Sequence, residues 1–334
     1  MTQEWQKPLK FDVTSALLSS NNKAVIYFTE RDLLDKNVHS IKQAVWELPE
    51  VKKAFKKQQT DGSWKHNGKE TPVYPKHHDT LVETWKAYHL LVERYQVTKE
   101  HEAARKAAEF FFTCQTSQGD IRGMIGNQYA TYYTGAILAV LIKTGYADDP
   151  RVEKGMQWLL SMRQNDGGWT IPLLTHKLDK QTWLNLTSKY AEPLELYRSK
   201  PFSHNWTDMV LRAFAVHPKY RCCKEARAAG DLLKSSFFMP DYYTSYQDSS
   251  YWVRFCFWWP NLVTALESLC LMCYSKSDPD IWKGLSWLIE NQAEDGLWNL
   301  SYVKGAKDGA SVNAKENRLW LTLRIARFFK RFFL

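Results

Sequence analysis

The run Lys76-His77-His78-Asp79-Thr80 sets two imidazoles and a carboxylate side by side, just ahead of the helical pattern "LVETWKAYHLLVERY". Such a run serves acid–base chemistry, in which His78 and Asp79 exchange a proton. It equally serves the helix, with Asp79 as N-cap and His78 before it. A second polar pair, His204 and Asp208, lies four residues apart around "NWTDMVLRAFAV". With His77 and His78 it would form a divalent-metal set only if the two helices faced each other. Adjacent histidines point in different directions on a helix, so no metal or other cofactor is expected. Aromatic residues are the third resource. Tyr74, Tyr132, Tyr133 and Trp206 stand at helix starts, and Trp252, Trp258 and Trp259 fall in "PDYYTSYQDSSYWVRFCFWWP", where Asp248 and Arg254 are the polar members. Ring faces of this kind hold a cation, or they simply pack one end of a helical array. Glu316 adds a further carboxylate near the start of the last helical segment.

These residues need helices to place them, and the chain repeats one helical unit. "DDPRVEKGMQWLLSMRQNDGGW" (148–169) aligns with "SDPDIWKGLSWLIENQAEDGLW" (277–298) at Asp-Pro, Lys-Gly, Trp-Leu, Asp-Gly and the final Trp. Shorter copies are "FKKQQTDGSW" (55–64) and "KAAEFFFTCQTSQGDI" (106–121), and "RAAGDLLKSSFFMPDY" (227–242) is a degenerate one. Self-similarity at this period means a repeat architecture. Asp149-Pro150 and Asp278-Pro279 pair an N-cap with proline at the first helical position. The helix that follows is amphipathic, with Val152, Met156 and Leu159 on one stripe. The glycine of each turn is expected at the helix C′ position, and the tryptophan after it folds back over apolar surface. Before each capped helix lies another, such as "ATYYTGAILAVLIKTG" (130–145), apolar nearly all round and therefore buried on both sides. No strand-like alternation of any length is visible. Pairing the last segment, "KENRLWLTLRIARFFKRFF", with the first amphipathic one, "SIKQAVWELPEVKKAFKKQQ", would close the set into a ring.

Composition agrees with a large helical core: of 334 residues, 44% are hydrophobic and 15 are Trp. No tract of roughly 18 apolar residues occurs, and the N-terminus lacks the apolar region of a signal peptide, so a cytoplasmic protein is expected. The six cysteines lack zinc-site spacing and read as small buried residues. The net charge of +9 suits an anionic partner such as a membrane surface or a diphosphate. The basic residues are scattered, however, which fits solvated helix faces, and no nucleic acid is expected. Phe332-Phe333-Leu334, if left exposed, would make peripheral contact with lipid.

A Gln followed by Gly-x-Trp, after Lys-Gly-x-x-Trp-Leu, resembles the QW repeat of squalene-hopene and oxidosqualene cyclases. The catalytic subunits of protein prenyltransferases build the same barrel, and the chain resembles the single-barrel repeat proteins related to both. The resemblance is carried by "KGMQWLLSMRQNDGGW", "KGLSWLIENQAEDGLW", "KAAEFFFTCQTSQGDI" and "QQTDGSW". It implies an all-α (α/α) toroid, with inner helices around a central cavity and outer helices behind. Class II cyclases of this family protonate an alkene with the middle Asp of Asp-x-Asp-Asp, followed by Thr. Here that run reads His77-His78-Asp79-Thr80, so His78 stands where the acid would be. The Asp-x-Cys of the prenyltransferase zinc site does not occur in this chain.

The sequence therefore predicts one α/α-toroid domain over 1–334, with 1–37 as an N-terminal extension packing on the barrel. The long loops 65–78, 170–204, 240–259 and 299–315 are expected at one end, forming its mouth. A hydrophobic, isoprenoid-type small molecule is the expected partner, with acid–base cyclisation or isomerisation as the reaction. Asp79, His78, His204 and Asp208 are the candidate catalytic groups. Tyr74, His77, Tyr132, Tyr133, Trp206, Asp248, Trp252, Arg254, Trp258, Trp259 and Glu316 are the candidate lining. Two alternatives stay open: a non-catalytic lipid- or partner-binding barrel, and a toroidal polysaccharide lyase using Tyr132, His204, Asn205 and Arg254 on an acidic sugar.

Overall fold

A computed structural model describes residues 3–37, 42–68, 74–188, 191–243, 248–255, 259–305 and 312–334. Its fold class is all-α, built of the paired helices that an α/α toroid repeats. The helices are α1 (Val13–Leu18), α2 (Lys23–Phe28), α3 (Lys42–Trp46), α4 (Pro49–Phe55), α5 (His78–Tyr95), α6 (Glu102–Thr113) and α7 (Thr131–Leu141). Then follow α8 (Pro150–Ser161), α9 (Lys180–Leu186), α10 (His204–Val216), α11 (Lys224–Ser235), α12 (Leu262–Leu271), α13 (Pro279–Glu290) and α14 (Val312–Phe333). One strand that the sequence did not predict, β1 (Met124–Asn127), occupies the loop before α7. It is too short for alternation to register. The chain forms two compact units, residues 48–232 and residues 1–47 with 233–334.

In the unit 48–232, buried and amphipathic helices alternate as the repeat implies. Every residue of α7 except Tyr133 is buried, and α10 is buried from His204 to Ala215. The two approach closely because Gly135 has no side chain: a Cβ there would lie 2.6 Å from Val210 Cα. Asp149 caps α8 through the Arg151 N–H, with Pro150 at the first helical position. A Lys143–Glu93 ion pair of 2.7 Å ties the π-helical turn Ile142–Tyr146, which follows α7, to α5.

The tryptophan-tipped turns fasten these pairs by a shared set of hydrogen bonds. The indole N–H of Trp64 donates to Ala54 O (3.0 Å) and that of Trp169 to Leu159 O (2.7 Å), each reaching back along the preceding helix. The backbone N–H of the same residues donates to a threonine of the next buried helix, Thr84 for Trp64 and Thr207 for Trp169. Ile121 lacks the indole but keeps the backbone bond, to Thr134. The turn glutamine closes the fastener. Gln58 donates to Gly62 O and Ala103 O, and Gln115 to Gly119 O and Arg151 O, in each case reaching the first turn of the following amphipathic helix.

The glycine's role differs from the C′ position expected of it. α8 ends at Ser161, well before Gly167, and α13 ends at Glu290, well before Gly296. The glycine instead takes a positive φ in the turn itself, 90° at Gly62, and lies against the next amphipathic helix, α6. A Cβ at Gly62 would stand 2.1 Å from Lys106 O.

The unit formed by 1–47 and 233–334 repeats the device once. Trp298 donates from its indole to Leu288 O (2.8 Å) and from its backbone to Thr322 of α14 (3.1 Å). Gln292 donates to Gly296 O and to Phe11 O, and accepts from the N–H groups of Lys10 and Phe11. The segment set apart as an N-terminal extension thus supplies α1 as the helix beneath the last turn. Its second half grips α14 through Asp32–Arg327 (2.7 Å) and Asp35–Lys330 (2.6 Å). Glu267 of α12 pairs with Arg324 of α14. At the end of α14, Phe332 is buried, contrary to its expected exposure, whereas Leu334 is exposed.

Candidate functional site

The inner helices of the 48–232 unit present a continuous row of rings. Trp85 of α5 stands perpendicular to Tyr133 of α7 at 5.3 Å; Tyr133 lies 4.3 Å from Tyr132, and Tyr132 lies 4.4 Å from Trp206 of α10. His89 flanks Trp85 at 5.3 Å. Burial pushes the Tyr133 hydroxyl up to about 12, against the opposing effect of a hydrogen bond with Tyr132. Tyr133 is also the member of the row that keeps some exposure. The predicted residues Tyr132, Tyr133 and Trp206 are therefore brought together. Trp85 and His89 were missed, although a signal for them exists. Trp85 follows His78 by seven residues and His89 follows Trp85 by four, a spacing that keeps all three on one side of α5.

The run at the start of α5 is anchored to the loop that carries β1. His78 Nδ1 bonds Gly123 O and His77 Nε2 bonds Arg122 O at 3.2 Å. Gly123 has no side chain where His77 passes: a Cβ would stand 2.4 Å from its Nε2. Tyr74 lies 4.3 Å from the His78 ring, and Asp79 Oδ1 lies 3.9 Å from His78 Nε2. The N-cap residue is His77, and Asp79 lies two positions beyond it inside the first turn, so the cap position expected of Asp79 falls to His77. Gly123 O can only accept, so His78 carries its proton on Nδ1. That leaves Nε2, the nitrogen nearer Asp79, free to exchange one.

The same loop is braced by a buried carboxylate that sequence reading overlooked. Asp120 is fully buried and accepts from Arg122 Nε at 2.9 Å and from Thr116, while the Arg122 guanidinium covers the Tyr129 ring at 4.8 Å. Asp120 occupies the turn position held by Ser63 and Gly168 in sister copies. That departure from the repeat was its only signal. On α10, Asp208 and Arg212 form a buried ion pair of 3.0 Å, and His204 is buried at the first helical position. Among the described residues no three His, Cys, Asp or Glu side chains are placed to hold a metal ion, so His77, His78, His204 and Asp208 are not assembled as one set.

The remaining candidates belong to the other unit. Trp252 is buried, donates to Met239 O at 2.9 Å and meets Phe237 edge-on at 5.2 Å. Asp248 caps the short 3-10 turn Ser249–Val253 through the Ser250 N–H, which holds its carboxyl below the usual range. Arg254 is exposed and lies over the Tyr251 ring at 5.4 Å. Trp259 is half-buried, and its carbonyl accepts from the Asn261 side chain. Glu316 accepts from the Trp320 indole at 3.3 Å and from Asn22 at 3.4 Å. Trp258 lies outside the described residues.

Residues 84–182 match the squalene-hopene cyclase C-terminal domain. This cyclase-like stretch runs from α5 into α9 and holds three rings of the row, Trp85, Tyr132 and Tyr133. No curated protein sequence matches the chain. Among solved structures, a variant of the type II terpene cyclase MstE from Scytonema in complex with its substrate, geranylgeranyl dihydroxybenzoate, is similar at 12% identity. That alignment covers 96% of this chain and 87% of that one, with a TM-score of 0.47. A protein from Actinoplanes aligns at 14% identity over 99% and 90% of the two chains (TM-score 0.44). The polysaccharide lyase BACCELL_00875 aligns at 14% identity over 88% and 87% (TM-score 0.41). Among the described residues, no helix is long and apolar enough to cross a membrane.

Proposed function

We propose that the chain binds an isoprenoid-type hydrophobic substrate against the row Trp85–Tyr133–Tyr132–Trp206. In this reading it promotes acid–base cyclisation or isomerisation with His78 and Asp79 as the proton-exchanging pair. The observation that carries the reading is the row itself. Four rings from three inner helices offer π faces to an apolar chain and to positive charge developing along it. The cyclase-like stretch coincides with two of those helices, which supports the same class of ligand. Asp208 is already matched by a fixed guanidinium at 3.0 Å, which suits it to charge compensation rather than proton donation. His78 is oriented by Gly123 O so that Nε2 addresses Asp79. An imidazolium is a weaker acid than a protonated carboxylic acid, so an activated alkene or an allylic system is the better-matched substrate.

Asp79→Asn tests the catalytic part. Incubation with C15 to C30 isoprenoids, read by mass spectrometry, should give product from the wild type and at least about 100-fold less from the variant. Equal turnover by both would remove the pair from the mechanism. One observation favours a second reading, a non-catalytic binder: His77 and His78 each commit a nitrogen to the backbone of 122–123. Ligand binding without turnover, unchanged in Asp79→Asn, is the result that reading expects.

Peripheral lipid contact belongs to the unit that holds α13 and α14. Trp282 is 45% exposed beside Phe333, and Lys276 lies 4.6 Å above that ring. Co-sedimentation with anionic vesicles should fall several-fold in Trp282→Ser; unchanged sedimentation contradicts the contact.

A further inference from the structure

The indole of Trp85 lacks what its sisters have. Trp64, Trp169 and Trp298 each donate to a carbonyl of the preceding helix, Trp252 donates to Met239 O and Trp320 to Glu316. Trp85 is 2% exposed, yet its Nε1–H is buried without any hydrogen-bond partner. A buried donor left unpaired is costly, and native folds rarely keep one. The perpendicular Tyr133 ring offers only a weak N–H···π contact. Of the buried polar atoms left so among the described residues, this one belongs to the ring row, where an acceptor on a bound ligand would meet it.

Its position says what kind of acceptor. Trp85 ends the ring row, next to Tyr133, the residue of α7 that is not buried. A ligand lying along the row reaches the Trp85 edge by way of Tyr133. A pure hydrocarbon would leave the indole N–H unsatisfied and add nothing there. An alcohol, ether or carbonyl oxygen at one end of the ligand would satisfy it.

We propose that the isoprenoid ligand carries an oxygen, and that Trp85 Nε1–H is the donor that recognises it. This rests on the isoprenoid reading of the row and adds to it the ligand's polarity and its direction along the row. Trp85 is a specificity-determining group in this account, not a proton donor in the reaction.

Equilibrium binding to the full chain of geranylgeraniol, and of the C20 hydrocarbon that lacks only its hydroxyl, tests the assignment. The wild type should prefer the alcohol by roughly tenfold, the scale of one well-placed hydrogen bond. Trp85→Phe should lose that preference, read as the ratio of the two affinities in the same variant. Benzothienylalanine at position 85, which keeps both rings and has no N–H, makes the same comparison if the phenylalanine variant unfolds. A preference retained in either variant overturns the assignment, as does a wild type that binds both ligands equally. If neither ligand binds the wild type, the isoprenoid reading itself fails, and this assignment with it.

Discussion

Thr207 makes two hydrogen bonds to a single residue: its hydroxyl accepts from Trp169 N–H at 2.9 Å and donates to Trp169 O at 3.1 Å. It is fully buried, so water replaces neither bond. Thr207→Val keeps the shape and leaves the Trp169 N–H unpaired, while Trp169 O keeps its bond from the Ser203 N–H, which should cost about 1–3 kcal/mol in urea unfolding. Thr207→Ser should recover much of that loss. A valine variant within about 0.5 kcal/mol of wild type would show that the fastener does not depend on this side chain. Thr84, Thr134 and Thr322 hold the matching places, yet no threonine announced itself in the sequence. A threonine on an apolar helix reads as a tolerated β-branched residue until the turn that it receives is known. Trp85 was hidden differently, since a tryptophan in a core pattern declares its bulk and not the fate of its N–H.

At the scale of elements, the turn glycine sets how near two repeats come. Gly62 and Gly305 both have positive φ, 90° and 80°, but a Cβ at Gly62 would strike backbone, while at Gly305 it would meet no described residue within 4 Å. Gly305→Ala should therefore cost about 1 kcal/mol, the strain of a left-handed alanine. Gly62→Ala must also displace the carbonyl of Lys106, and a loss of at least about 3 kcal/mol in chemical denaturation is expected. Equal costs would mean that the close approach relaxes freely. The amphipathic helices were legible because caps, proline and apolar stripe all agree on them, as in Asp149-Pro150 and Asp278-Pro279. Less legible was α1, whose "VTSALL" has no copy of the Lys-Gly-x-x-Trp-Leu pattern. Only the reach of Gln292 to Lys10 and Phe11 reveals its place. Arg163 shows the limit of reading by residue type. It holds the place of the turn glutamine, six residues before Trp169, and makes the same two bonds, to Gly167 O at 2.9 Å and to Glu225 O in the first turn of α11 at 3.5 Å.

For the molecule as a whole, the repeat explains stability and the departures from it point toward function. Gln, Gly, Trp and Thr recur in both compact units as fasteners. The ring row, the His78–Asp79 pair and the unpaired Trp85 indole sit on residues that the repeat does not require. The claim that joins them is that the row binds an isoprenoid. Tyr133 is its accessible ring, and Tyr133→Leu keeps apolar bulk while removing the π face. The most direct measurement is equilibrium binding of radiolabelled geranylgeraniol to the full chain, with thermal unfolding run in parallel. Saturable one-to-one binding, weakened at least about tenfold in Tyr133→Leu while the midpoint stays within a few degrees, is the predicted result. Binding that does not saturate, or that is equal in the two proteins, would contradict the account.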